Sequence, residues 1–175
     1  MRGLKTIPHT TPNCWIPGIN LLCVTRREPD MPEVPFPPRC ETYRGGGFDN
    51  TLKPFWTVGK QYRVPGFLAT SFSEAVADKF IGWAASPDGS TIKWVVKFDP
   101  RGKEEYKYRC KQVNLVRKSV SHVPGEEEYL FAPYSAFTVE EVKWASDPSE
   151  EHRVVLRAAA DNRRESDDLP LCPWY

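Results

Sequence analysis

The sequence predicts an α+β domain built mainly from short strands, with one clear helix in its first half. Three observations carry that prediction. Seventeen prolines and eleven glycines in 175 residues break the chain too often for a helical bundle and suit short strands joined by turns. From Cys40 onward, β-prone runs alternate with turn residues. Only one segment keeps a helical spacing of apolar residues, at Val76, Phe80 and Trp83.

Length and composition bound the rest. A chain of this size makes one ordinary domain, or one domain with arms, and buries most of its apolar surface without staples. Hydrophobic content of 40% and aromatic content of 13% argue against wholesale disorder. Twenty-four basic residues stand against 23 acidic ones, for a net charge of +1. That balance excludes a nucleic-acid binder relying on a broad basic surface. No apolar run approaches the roughly 20 residues of a membrane span. Met1 to Pro8 offers a basic end without an apolar stretch, so no cleaved signal peptide is expected. The expected location is cytoplasmic, or secreted or injected without such a signal. Cys14, Cys23, Cys40, Cys110 and Cys172 are odd in number and lack a C-x-x-C spacing, so they read as free buried thiols. A bridge from Cys14 or Cys23 to Cys172 is the alternative in an oxidising compartment.

Element by element, residues 1–39 read as a proline-rich arm packing on the body, with room for one short element at 19–24. Residues 40–160 form the main domain. A strand at 41–44 runs into Gly45-Gly46-Gly47. Runs at 61–64 and 67–71 flank Pro65-Gly66, which reads as a turn between two short strands. Ser73 is the expected N-cap of the helix, Glu74 suits its dipole, and Pro87-Asp88-Gly89 ends it. Strands are expected at 91–98, 106–116, 128–131, 137–144 and 153–158. The tail, 161–175, is charged at first and then apolar, as if made to pack back.

Three segments carry chemistry. Tyr43-Arg44-Gly45-Gly46-Gly47 places a cation at a strand end beside glycines, a pattern that suits a phosphate. Gly66 to Ser73 brings small hydroxyls to a strand-to-helix junction, where they can orient a neighbouring carboxylate. Gly125-Glu126-Glu127-Glu128 abuts the apolar run Tyr129-Leu130-Phe131. Side chains at i and i+2 of a strand share a face about 6–7 Å apart, so Glu126 and Glu128 would form a carboxylate pair in unequal surroundings. Taken singly, each segment also has a plain structural explanation: a turn, a cap, a solvated acidic loop.

In this order and spacing the three segments resemble the Arg-Ser-Glu class of mono-ADP-ribosyltransferases, which includes vertebrate ecto-enzymes and many bacterial toxins. The resemblance covers residues 42–142. It implies a β-sandwich of two packed sheets with a few flanking helices. It also implies transfer of ADP-ribose from NAD to a protein side chain, most of all arginine, with release of nicotinamide. By the same resemblance Arg44 holds NAD, Gly45 offers backbone contacts to the nicotinamide amide, and Thr70 and Ser71 belong to the Ser-Thr-Ser motif of the NAD site. Phe80 falls where the family often sets an aromatic against the nicotinamide ring, although it also suits a core position.

Glu128 matches the catalytic glutamate and Glu126 the upstream member of the pair, which goes with an arginine acceptor. The sequence departs from the motif at Ala69, where the family has the serine that bonds the catalytic glutamate. Ser71, Ser73 or Thr70 would then take over that role, or the glutamate is less well oriented. Residues 118–125, with His122, would form the loop meeting the target. The partners implied are NAD and a protein presenting an exposed arginine, with no metal, nucleic acid or membrane. A NAD glycohydrolase and a non-catalytic NAD-binding domain are the alternatives.

Overall fold

The computed structural model describes residues 40–83, 89–99, 125–147, 149–160, 162 and 164–173. The expected arm at 1–39, the strand at 106–116, His122 with most of its loop, and Cys14, Cys23 and Cys110 lie outside the described residues. The described residues form seven strands, one α-helix and a 3-10 helix at Asn50–Phe55: β1 (Glu41–Gly47), β2 (Gln61–Val64), β3 (Leu68–Ser71), α1 (Glu74–Trp83), β4 (Thr91–Phe98), β5 (Glu128–Phe131), β6 (Ser135–Lys143) and β7 (His152–Ala158). The fold is α+β and strand-rich, as the spacing of apolar and turn residues predicts.

Among the described residues, the two separately bonded sheets expected of a sandwich are not seen. The described strands join in one sheet of order β2-β6-β7-β4-β1-β3-β5. Its pairs are antiparallel except for β4 with β7. One core nevertheless gathers residues from both ends of the sheet. Phe131 of the edge strand β5 meets Phe137 of β6 with ring centroids 5.2 Å apart, and Phe98 of β4 meets Tyr129 of β5 at 4.9 Å. A twisted sheet of this size curls until its own apolar faces meet.

The weakest joint in the sheet is the one that matters for function. β1 pairs with β4 through seven residues, from Glu41↔Lys97 to Gly47↔Thr91. It pairs with β3 through one, Tyr43↔Ser71, while β3 continues along β5 from Leu68↔Phe131 to Ser71↔Glu128. Beyond that pair β1 and β3 diverge.

The two short strands on either side of Pro65-Gly66 form, but they do not pair with each other. β2 pairs with β6, and its other edge is taken by the tail. There the Arg63 amide donates to the Pro170 carbonyl, and the Cys172 amide donates to the Arg63 carbonyl, at 2.9 and 2.8 Å. With both edges of β2 filled, β3 pairs elsewhere. The Arg63 side chain, itself buried, donates to the carbonyls of Tyr134 and Glu165 at 2.8 Å, and to that of Ser166. A cation buried in this way is satisfied by backbone oxygens.

α1 is fastened to the sheet by charge as well as by packing. Lys93 of β4 reaches Asp78, Glu151 and Glu74 at 2.7, 2.8 and 3.2 Å. Burial is the largest single influence on Lys93 and pulls its pKa down. Hydrogen bonds to the three carboxylates outweigh it and hold the ammonium above the ordinary lysine range.

Arg63→Met keeps the aliphatic bulk but leaves the tail carbonyls without a donor. Urea denaturation is expected to show a loss of about 3 kcal/mol, with protease cleavage moving first to the residues after Ala159.

Candidate active site

Each motif arrives at the divergence of β1 and β3 from a different element. Arg44 follows Tyr43 on β1, and its Nη1 crosses the gap to donate to the Ala69 carbonyl of β3 at 2.9 Å. Gly45, next on β1, faces α1. A Cβ there would overlap the Ala77 carbonyl oxygen and stand 2.6 Å from Ile81 Cγ1. Glycine at this position is therefore what lets the helix lie against the strand.

The hydroxyls of β3 hold the carboxylate segment by its backbone. Thr70 Oγ1 donates to the Tyr129 carbonyl at 2.8 Å, and Ser71 Oγ donates to the Glu126 carbonyl at 2.5 Å. Ser71 Oγ in turn accepts from the Ser73 amide at 2.9 Å, and the Phe72 amide donates to the Glu127 carbonyl at 3.0 Å. Glu128 is thus gripped on both sides, through residues 126 and 129.

The two glutamates reach the cleft by a different path from the one the sequence suggests. β5 begins only at Glu128. Gly125 and Glu127 have φ of 89° and 43°, so a turn in the left-handed region precedes the strand and the i, i+2 strand spacing does not apply. Glu126 and Glu128 still line one cavity of about 160 Å3. They share it with Tyr43, Arg44, Gly45, Ala69, Thr70, Ser71, Val76, Ala77 and Phe80. The cavity is smaller than the about 300–1,000 Å3 of a site that swallows a whole small ligand. A volume of this size has room for only part of such a ligand.

Of the residues singled out in sequence, Arg44, Gly45, Thr70, Ser71, Phe80, Glu126 and Glu128 meet here, while Ser73 is not among the lining residues. Tyr43, of the same motif as Arg44, is a lining residue that the sequence does not single out. Its hydroxyl donates to Glu41 Oε1 at 2.6 Å, and that bond, with burial adding to it, pushes the phenol up to about 12. Val76 and Ala77 were equally unmarked, since small apolar residues on a helix look the same in a core and in a cleft wall. The helix face also differs from expectation. Phe80 and Trp83 are exposed rather than buried with Val76.

Glu128 is half-buried, and its carboxyl is held above the ordinary glutamate value. Burial is the larger cause and the Glu126 charge the second. This is the pattern of two carboxylates that cannot share one environment. Among the described residues, no group of three or more His, Cys, Asp or Glu could hold a metal ion. Nor is any helix long and apolar enough to cross a membrane.

No protein-family model matches the sequence, and no curated protein matches it either. Solved structures do match. The ADP-ribosyltransferase Vis in complex with the M6 inhibitor matches at a TM-score of 0.52, with 20% identity over 69% of this chain and 48% of that one. Vis toxin from Vibrio splendidus matches at 0.50, with the same identity and coverage. HopU1 of Pseudomonas syringae pv. tomato DC3000 matches at 0.49, with 21% identity over 69% and 46%. The chain spans about half the length of these structures. At such identity the likeness is one of fold: this chain has the ADP-ribosyltransferase fold of the bacterial toxins.

Two measurements test the geometry without assuming an activity. Gly45→Ala should cost about 1–3 kcal/mol by overpacking. Gly46, where a Cβ meets nothing, should accept alanine with no loss, and thermal melts compare the two. In a pH titration followed by NMR, the Glu128 carboxyl should titrate above the ordinary value of about 4.3. In Glu126→Gln it should move down without reaching that value, because the burial contribution remains.

Proposed function

We propose that this protein is a NAD-dependent mono-ADP-ribosyltransferase that moves ADP-ribose from NAD to an arginine side chain of a target protein and releases nicotinamide. The observation that supports it most is the convergence of Arg44, Glu126 and Glu128, from three separate segments, on one cavity. The toxin fold supports the reaction class.

Chemically the site suits the reaction. Departure of nicotinamide leaves positive charge on the ribose, as in glycoside hydrolysis. The Glu128 carboxylate stabilises that charge by about 4 kcal/mol at about 4 Å and an effective dielectric of about 20, roughly a thousandfold in rate. Arg44 neutralises the pyrophosphate, and its bond to the Ala69 carbonyl orients the guanidinium. Glu126 orients the incoming guanidinium of the acceptor and draws off its proton. Thr70 and Ser71 serve as positioning residues. Where the family uses a serine hydroxyl on the catalytic carboxylate, Ala69 offers none, and the backbone grip at residues 126 and 129 takes its place. Phe80 is the aromatic against the nicotinamide ring, and Gly45 provides backbone contact for its amide.

The ionised form of Glu128 is the working form. Because its folded pKa is raised, its ionisation opposes folding once the pH has risen through that pKa.

With labelled NAD and an arginine-rich acceptor, Glu128→Gln is expected to lose both transfer and NAD hydrolysis by about a thousandfold. At pH 7 the same variant should melt no lower than wild type, since it removes a charge that burial disfavours. Glu126→Gln should keep hydrolysis and lose transfer, and normal arginine labelling by this variant would refute the acceptor role. Free ADP-ribose without protein-bound label in wild type would identify a glycohydrolase instead.

A further inference from the structure

The apolar stripe of α1 leaves the core along the wall of the cleft. Val76, Phe80 and Trp83 follow one another on a single helix face, yet their exposures rise from 8% through 43% to 74%. Phe80 lines the cavity and stands edge-to-face with Trp83, with centroids 5.6 Å apart and planes at 78°. The indole is therefore held at the mouth of the cleft, continuous with its wall. An aromatic surface of this size left in water marks a binding position.

The occupant follows from size and position. A cavity of about 160 Å3 admits one end of a dinucleotide, so the other end must lie outside it. The segment that carries the carboxylates is tied to the amino-terminal end of α1, through the Glu126 carbonyl, Ser71 and Ser73. Trp83 lies seven residues beyond Val76, about 10 Å along the axis at about 1.5 Å per residue. An acceptor guanidinium has to approach the carboxylates, and the indole is remote from them. A purine base, with a π-face and no charge, is the part of the substrate that gains from stacking on an aromatic ring. We infer that Trp83, braced by Phe80, is the stacking platform for the adenine of the dinucleotide. The inference rests on the reading of this cleft as the NAD site.

Turnover of NAD and of nicotinamide mononucleotide by the full chain tests it, because the second substrate keeps the reacting end and lacks adenosine. Trp83→Ala is expected to raise KM for NAD roughly tenfold, or about 1.4 kcal/mol, with little change in kcat. Its preference for NAD over the mononucleotide should fall by the same factor. Trp83→Phe keeps a ring and should recover most of the preference. Calorimetry with adenosine monophosphate reads the platform without chemistry: wild type binds it, and Trp83→Ala binds it roughly tenfold more weakly. Trp83 is exposed, so circular dichroism of both variants should match wild type. An unchanged preference together with unchanged adenosine monophosphate affinity overturns the platform. So does a rise confined to the KM of the arginine acceptor, which assigns the indole to the target. A wild-type protein that binds NAD and adenosine monophosphate but releases no nicotinamide refutes the proposed function and leaves the platform standing.

Discussion

β1 and β3 share one residue pair, Tyr43↔Ser71, and the cleft exists because they share no more. β1 is committed along its whole length to β4, and β3 is committed to β5. The sheet must open between them, and the opening is walled by α1. Gly45 decides how close that wall can come, since any side chain there would meet the Ala77 carbonyl. Lys93, held by carboxylates from α1 and from Glu151, fixes the helix in the same place. Backbone divergence, a missing Cβ and one partly buried cation together define the cavity.

Within that frame the polar groups work mostly through main chain. Arg44 bonds the Ala69 carbonyl, Ser71 the Glu126 carbonyl and Thr70 the Tyr129 carbonyl. Rigid strands position these bonds better than a mobile side-chain network would. The arrangement also explains how a chain with alanine at the first position of the hydroxyl motif still holds Glu128. Orientation comes from the two residues gripped around it. Burial then raises the Glu128 carboxyl, so the site trades stability for a carboxylate held in a drier place.

Much of this was legible in the sequence because it is local. Arg44 with its glycines, Thr70-Ser71 and Glu126-x-Glu128 are contiguous runs, and the helix at 74–83 announced itself by spacing. Three features were not legible. Glu127 takes a left-handed φ without being glycine, so the glutamates looked like strand neighbours. The partners of β2 were hidden, because nothing near Pro65-Gly66 shows that β6 and the tail would occupy its edges. Phe80 and Trp83 looked like core because periodicity reports a face and says nothing of what covers it.

By itself, then, the sequence determined the strand-rich class, the one helix and the identity of the charged groups, because propensity and residue chemistry act over a few neighbours. Tertiary structure alone decided that Arg44, Ser71 and Glu128 share a cavity, that the described strands bond into one sheet, and that the helix stripe emerges into solvent. Each of those depends on which strand edges are already taken. Edge pairing is settled between residues far apart in the chain, where local pattern carries no information.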